Sequence, residues 1–170
     1  PRLRSLCLTA AHVGLPTSSA TRQQRFMQDV HIAQRLEAIA HSRTPAKSWE
    51  AFLDFWYGLD LFGSLRQHSC YQELKSRRCD HDPMELAAVV LQASNALQRD
   101  DRKNLMKLAR SMPCLYIAGA QDTKYAHLAT ELARHNIPAV LMPAIAHAIP
   151  VENSTGYGEL LMQFLAGLRE

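Results

Sequence analysis

Two short apolar segments near the carboxyl end of the chain, separated by one helical pattern, constrain the fold more than any other feature of the sequence. Residues 112–119 form an apolar run bounded by proline and glycine, which is typical of a buried strand. Apolar side chains then recur at helical spacing from residue 125 to residue 135, and residues 137–142 form a second apolar run. A strand, a helix and a strand in this order predict two neighbouring parallel strands that end at one edge of a sheet.

Each predicted strand is followed by a residue that can take part in acid–base catalysis. These residues are Asp122 after the first strand and His147 after the second. In open α/β sheets, ligands and catalytic groups collect at the carboxyl edge of the strands. A buried carboxylate there can fix the tautomer of an imidazole and stabilise its protonated form. The order suits the acid and histidine of the Ser…Asp…His triad in an α/β-hydrolase. The plain alternative is that Asp122 caps a turn and that His147 is structural.

The serine that should precede this pair is missing from the sequence. No Gly-x-Ser-x-Gly, the strained turn that presents the nucleophile in this fold, occurs anywhere in the chain. The first residue is Pro1, and residues 3–11 already form a strand-like run with no turn or cap before it. We therefore expect a fragment whose sheet is cut in the middle. We expect the isolated 170 residues to express poorly or to aggregate, because such a sheet exposes an apolar edge.

Helical patterns fill the stretch between the first strand and Pro113. They cover about residues 18–40, 48–57, 70–78, 83–96 and 102–109. Ser48 is the expected N-cap of the second pattern. Helices inserted here are typical of a cap over the active-site edge of a sheet. The predicted class is therefore α/β: the C-terminal part of a mostly parallel α/β-hydrolase sheet with a helical cap insertion.

This interpretation divides the chain into three parts. Residues 1–15 are predicted to form a core strand and its exit loop, and residues 16–111 the helical cap. Residues 112–170 are predicted to form the C-terminal core, with strands and helices that carry the acid and the histidine.

Composition and charge exclude several functional classes. The chain is 47% hydrophobic, yet no uninterrupted apolar run approaches the roughly 20 residues that span a bilayer. The formal charge is only +3 and the basic residues are dispersed, which argues against a nucleic-acid surface. The four cysteines show no CxxC spacing and are expected to be reduced thiols in a protein that is not secreted. The run from Cys79 to Asp82 is not expected to bind metal, because four consecutive residues cannot all converge on one ion.

Three segments of the chain carry a resemblance to a known family. They are WYGLDLFGSL at residues 56–65, GAQDTKY at residues 119–125, and Ala146-His147. Together they resemble the 2-succinyl-6-hydroxy-2,4-cyclohexadiene-1-carboxylate synthases of menaquinone and phylloquinone biosynthesis, which have an α/β-hydrolase fold. The resemblance covers nearly the whole chain and corresponds to the C-terminal portion of that family. The aromatic segment is more specific than the acid and the histidine, which all α/β-hydrolases can share.

The resemblance implies a lyase that eliminates pyruvate from a succinyl-hydroxycyclohexene-dicarboxylate intermediate without a metal or organic cofactor. Asp122 resembles the acid of the family's triad, and His147 resembles the histidine. The chain departs from the family in lacking the serine loop, so the fragment alone is expected to be inactive. Ala146 stands where the family usually has glycine, and Pro150 stands where a histidine often follows.

The resemblance also implies a small-molecule polycarboxylate as substrate. Arg25 and Arg78 resemble arginines that bind substrate carboxylates, and Arg77 is a rival of Arg78. Trp56 resembles a wall of the same pocket. These residue types suit the chemistry, because guanidinium groups form bidentate, charge-assisted contacts with carboxylates.

Two other functions remain open at this point. One is a generic esterase or C–C hydrolase of the same fold, which would keep Asp122 and His147 but would not need the arginines. The other is a non-catalytic hydrolase-like fragment. Fusion to upstream pathway domains is compatible with the sequence. We expect an intracellular, soluble protein, cytoplasmic if bacterial, and in a plastid or another organelle if from a plant or alga.

Overall fold

The structure, a computed structural model, describes residues 3–15, 19–63 and 65–168. Its elements in chain order are β1 (Leu6–Thr9), α1 (Ser19–Ala40), α2 (Pro45–Trp56), two short 3₁₀ helices (Asp60–Phe62 and Leu65–Gln67), α3 (Tyr71–Cys79), α4 (Pro83–Gln92), α5 (Arg102–Leu108), β2 (Cys114–Gly119), α6 (Thr123–Arg134), β3 (Ala139–Met142), α7 (Ile149–Glu152) and α8 (Ser154–Ala166). Pro1, the predicted helix start at Ser18 and Ser64 of the aromatic segment lie outside the described residues.

The three strands form one parallel sheet in the order β1-β2-β3. Thr9 pairs with Ile117 across the first ladder, and Gly119 pairs with Met142 across the second. Every residue of β2 is buried, as expected of a central parallel strand, which takes up an almost continuous apolar run. The predicted parallel strands around one helix are therefore confirmed, and their carboxyl ends lie side by side.

The chain divides into two compact units. The first, here called the sheet unit, is drawn from Pro1–Ala11, Gly58–Cys70 and Lys103–Glu170. The second, here called the helical unit, is drawn from His12–Tyr57 and Tyr71–Arg102. The predicted cap, residues 16–111, thus contributes residues to both units, and the division into three parts remains a prediction.

The core of the sheet unit anchors the carboxyl ends of β2 and β3. Its buried members come from both strands, from the loop that follows β3 and from the first residue of α7: Leu115, Ile117, Met142, Ile145 and Ile149. Side chains of α8, including Leu160, Leu161 and Phe164, pack against this cluster. The loop after β3 is therefore held by apolar burial before any polar contact is considered.

The helical unit is built on a long α1 that packs against α4, while α2 packs against α3. Aromatic rings stabilise α2, because Phe52 stacks with Trp49 at 5.4 Å and with Trp56 at 6.0 Å between ring centroids. The indole N–H of Trp49 donates a 3.0 Å hydrogen bond to the carbonyl of Arg78. That bond fixes the end of α3 against α2.

Three local predictions need correction. The first strand is shorter than residues 3–11, since it ends at Thr9 and Ala10 has a positive φ of 44°. Ser48 is not an N-cap: α2 begins one turn earlier at Pro45, whose missing N–H suits the first helical turn, and Ser48 donates its own amide to Thr44. The predicted extension of α4 to residue 96 is wrong, because the helix ends at Gln92.

No helix in the described part of the chain is long and apolar enough to cross a membrane.

Candidate active site

Asp122 lies in the turn that leaves β2 and is only 1% exposed. It is the N-cap of α6, and its Oδ1 accepts a 3.2 Å hydrogen bond from the amide of Tyr125. Its second oxygen, Oδ2, lies 2.7 Å from Nδ1 of His147. One oxygen of the Asp122 carboxylate therefore caps α6, while the other faces the imidazole of His147.

His147 lies in the turn after β3 and keeps 26% of its side chain exposed. With Asp122 ionised, Nδ1–H of the imidazole donates to Oδ2, which fixes the tautomer and makes Nε2 the basic nitrogen. The ring of Tyr125 lies 4.9 Å from the imidazole centroid, and Phe62 approaches edge-on at 6.0 Å. A general base must be oriented and within reach of the proton that it removes. The buried carboxylate of Asp122 orients the imidazole of His147, which is partly exposed and so meets both needs.

Main-chain contacts hold the two turns together. The amide of Ala120 donates to the carbonyl of Met142, and that of Gln121 donates to the carbonyl of Ile145, both at 2.9 Å. Gly119 permits this approach, because a Cβ at this position would lie 2.0 Å from the carbonyl oxygen of Ala146. The acid and the histidine, 25 residues apart in sequence, are thus brought together by adjoining strand ends.

Ala146, which directly precedes His147, is fully buried. Its methyl group faces Gly63, where an added Cβ would lie 3.0 Å from Cβ of Ala146. Gly63 also has a positive φ of 50°, a conformation that glycine adopts without steric cost. The methyl group before His147 therefore occupies space that a glycine on the neighbouring segment leaves open.

Glu152 is a site residue that the sequence analysis missed. It is 8% exposed, and its carboxylate accepts 3.0 Å hydrogen bonds from the amides of Ala146 and Ala148, on either side of His147. In a capping box a glutamate three residues after a serine or threonine N-cap reaches back to the N-cap amide. Glu152 lies four residues after Ala148, the N-cap of α7, so the sequence carries no such box. The helix that carries Glu152 could not be predicted either, because a helix of only four residues, such as α7, leaves no periodic pattern in the sequence.

Tyr116 lies fully buried in β2, directly before the site, and donates a 2.9 Å hydrogen bond to the carbonyl of Ala11. Burial raises the pKa of its phenol well above the usual range, and negative charge on Tyr125 and Asp122 would add to this. Tyr116 therefore stays protonated at neutral pH, and its hydroxyl ties β2 to the end of β1.

In the helical unit, Arg25 is held by a buried acid. Its guanidinium contacts both oxygens of Asp29, at 2.8 and 3.0 Å, and Asp29 is 1% exposed. Ser94 donates a 2.6 Å hydrogen bond to the same carboxylate. Arg25 itself keeps 34% of its side chain exposed, so the pair presents an oriented cation at the surface of α1.

The structure brings Trp56 and Arg78 together in one cavity of about 260 Å³ within the helical unit. Its lining is mostly apolar and aromatic, with Arg78 and His81 as the cationic and titratable members. Nη1 of Arg78 lies 3.2 Å from Nε2 of His81. Arg77, the rival position, is not part of this lining and extends 66% exposed toward Glu73 at 3.8 Å.

The described residues contain no group of three or more His, Cys, Asp or Glu side chains arranged to hold a metal ion. The four cysteines are present as thiols. Burial raises the pKa of the Cys114 and Cys7 thiols, so neither is activated as a nucleophile.

Comparisons with known proteins show what this arrangement is similar to. No family model matches the chain. A 2-succinyl-6-hydroxy-2,4-cyclohexadiene-1-carboxylate synthase of Escherichia fergusonii is 30% identical over 165 residues, which is 97% of this chain and 60% of the relative. Proteins of the same name from Escherichia coli SMS-3-5 and Shigella sonnei are each 32% identical, over 96% and 97% of this chain, and 60% of each relative.

A solved structure described as MenH from S. aureus superposes with a TM-score of 0.83 at 21% sequence identity. The alignment covers 99% of this chain and 60% of that one. The chain thus spans about three fifths of the length of the proteins that it matches. The resemblance predicted from the sequence is confirmed: this chain is similar over nearly all of its length to 2-succinyl-6-hydroxy-2,4-cyclohexadiene-1-carboxylate synthases, and it has an α/β-hydrolase fold.

Proposed function

We propose that this chain is the acid- and histidine-bearing part of a longer lyase of menaquinone or phylloquinone biosynthesis. That enzyme would eliminate pyruvate from a succinyl-hydroxycyclohexene-dicarboxylate intermediate to form 2-succinyl-6-hydroxy-2,4-cyclohexadiene-1-carboxylate. The observation that carries the proposal is the 2.7 Å contact between buried Asp122 and His147, in a chain similar to synthases of that name. A serine from a segment outside this sequence would complete the triad.

In this mechanism, each described group has one task. Nε2 of His147 takes the proton of the serine hydroxyl, while Asp122 holds Nδ1 and stabilises the imidazolium that forms. The activated serine removes a proton from the cyclohexene substrate, the C–O bond to the leaving group breaks, and the imidazolium of His147 gives its proton to the departing enolate, which becomes pyruvate. Backbone amides beside the serine would stabilise the developing oxyanion. The proposed reaction requires neither a metal nor an organic cofactor.

We assign substrate binding to Arg25, Arg78 and Trp56. The wall role proposed for Trp56 is supported by the cavity that it shares with Arg78, and the same cavity favours Arg78 over Arg77. The role of Arg25 is supported by its pairing with Asp29, since a guanidinium oriented by a buried acid loses less entropy when it binds a carboxylate.

The test is pyruvate release by the full-length protein and its variants. We expect His147→Ala to abolish turnover, because the proposed base is removed, and we expect the 170-residue chain alone to be inactive. His127→Ala, at an exposed position of α6, is the matched histidine control and should leave turnover unchanged. Hydrolysis of simple esters that survives Arg25→Ala, with no pyruvate release, would instead indicate a generic hydrolase.

We also propose that the upstream gene sequence encodes the nucleophile, and that it includes further pathway domains if the protein is a fusion. Sequencing the full-length transcript upstream of Pro1 tests this directly. A Gly-x-Ser-x-Gly between a strand and a helix would supply the serine. Its absence would make the chain a non-catalytic relative and would refute the proposed reaction.

A further inference from the structure

One buried carboxylate contacts the main chain on both sides of His147. Oε2 of Glu152 accepts the amide hydrogen of Ala146, and Oε1 accepts that of Ala148, both at 3.0 Å. Glu152 is 8% exposed, and Ile145 and Ile149 of the same segment belong to the sheet-unit core. The two hydrogen bonds thus bracket the histidine without contacting its side chain.

We propose that Glu152 is a positioning residue for His147. This inference rests on the proposed function, in which His147 is the base. The bond to Ala148 holds the peptide unit that directly follows His147, and the bond to Ala146 holds the unit one residue further upstream. Together they restrict the backbone that sets the direction of the Cα–Cβ bond of the histidine. Glu152 therefore holds the imidazole in line with Asp122, while Asp122 holds its tautomer.

A carboxylate is the side chain that this position needs. An ionised carboxylate has two acceptor oxygens and no donor, so it can satisfy two amide hydrogens at once. A glutamine of the same shape has one acceptor and would point its own N–H₂ at the second amide. The amides of Val151 and Glu152 donate to the carbonyl of Ala148, whereas the amides of Ala146 and Ala148 donate to the carboxylate of Glu152.

The competing explanation is that Glu152 only stabilises the start of α7. The chain offers a matched control for it, because Asn153 caps the next helix, α8, with a 2.9 Å hydrogen bond from the amide of Gly156. Asn153→Ala removes a helix cap one residue away and leaves both bonds around His147 in place. A cap role and a positioning role therefore predict different results for the two variants.

The experiment compares Glu152→Gln and Asn153→Ala in the full-length protein. The first readout is the ¹H–¹⁵N NMR signal of the His147 imidazole, in which the Nδ1 proton reports the hydrogen bond to Asp122. The second is the steady-state rate of pyruvate release. We expect Glu152→Gln to shift or broaden the Nδ1 signal and to lower kcat by about 10- to 100-fold, as a small misplacement of a catalytic group does. KM should change by less than about twofold, since substrate binding is not touched.

Glu152→Asp provides a second variant if the glutamine protein folds poorly. It keeps the charge but shortens the reach by one methylene, so it should lose one of the two bonds and move both readouts in the same direction. An unchanged Nδ1 signal and kcat in a folded variant would overturn the proposal. So would equal effects from Glu152→Gln and Asn153→Ala. The NMR readout does not depend on the substrate, so failure of the proposed reaction would leave this test intact.

Discussion

Gly119→Ala is the substitution that tests the geometry of the site most directly. The added methyl group would lie 2.0 Å from the carbonyl oxygen of Ala146 and 2.3 Å from that of Ile145. Both obstacles are main-chain atoms, so no side-chain rotation relieves the clash. Ordinary contact begins at 3.4 Å, and the turn before His147 must therefore move by about 1.4 Å. The 2.7 Å contact between His147 and Asp122 would then exceed hydrogen-bond length.

That displacement is expected to lower both the free energy of unfolding and the rate of pyruvate release. Overpacking of a buried position costs about 1–3 kcal/mol. At the upper end of that range, a loss of about 3 kcal/mol lowers Tm by roughly 6–12 °C in a protein of about 150–250 residues, and the shift is to be measured on the full-length protein. We expect the full-length variant to release pyruvate about 100-fold more slowly, because the base has moved by more than an ångström. Scanning calorimetry and pyruvate release measure the two effects separately.

Gly158→Ala is the matched control, since a Cβ at Gly158 in α8 has nothing within 4 Å. Replacing glycine within a helix by alanine stabilises it by roughly 0.5–1 kcal/mol, so this variant should melt slightly higher and keep its activity. A Gly119→Ala protein with wild-type Tm and wild-type turnover would refute the argument. It would mean that the turns after β2 and β3 are not packed against each other as described.

Three further predictions concern the acid, the arginines and the buried tyrosine. Asp122→Asn keeps an acceptor for the amide of Tyr125 but no longer selects the imidazole tautomer, so kcat for pyruvate release should fall by about 10⁴-fold with little change in Tm. Arg78→Ala should raise KM about tenfold or more through loss of a charge-assisted contact, whereas Arg77→Ala should have little effect in the same steady-state assay. Because the pKa of Tyr116 is raised on folding, its contribution to stability is complete below about pH 10, the usual pKa of a tyrosine, and is lost as pH rises further. The urea midpoint should therefore decline less steeply above about pH 10 in Tyr116→Phe than in the wild type.

The acid and the histidine could be predicted because strand ends are visible in sequence. Two apolar runs separated by a helical pattern fix where the parallel strands end, and Asp122 and His147 follow those ends directly. Trp56 and Arg78 were suggested by the family resemblance, and no local pattern places them in one cavity. That placement depends on the packing of α2 against α3, which is tertiary structure and cannot be read from a local sequence pattern.

Glu152 and the pair of Asp29 with Ser94 were not predicted, for a common physical reason. Glu152, Asp29 and Ser94 act through hydrogen bonds whose partners are set by the packing of turns and helices. Such contacts produce no periodic pattern in the sequence. Ser94 lies where the pattern predicted a continuing helix, but its hydroxyl bonds to Asp29 and accepts the amide of Ala96. A serine that satisfies nearby backbone in this way competes with helix formation, which is consistent with α4 ending at Gln92.

The acid–histidine pair is precise because its two members are fixed by different means. Asp122 is fixed by its own helix, since the oxygen that caps α6 cannot move without losing the amide of Tyr125. His147 does not itself cap a helix. Its turn is held by the close approach at Gly119, by the main-chain bond from Gln121 to Ile145 and by the side-chain carboxylate of Glu152. A substitution in the turn that carries His147 should therefore misplace the imidazole without unfolding α6. Removal of the Asp122 cap should weaken both the position of the imidazole and the stability of α6. Activity is accordingly expected to be more sensitive than stability to changes around residues 145–152.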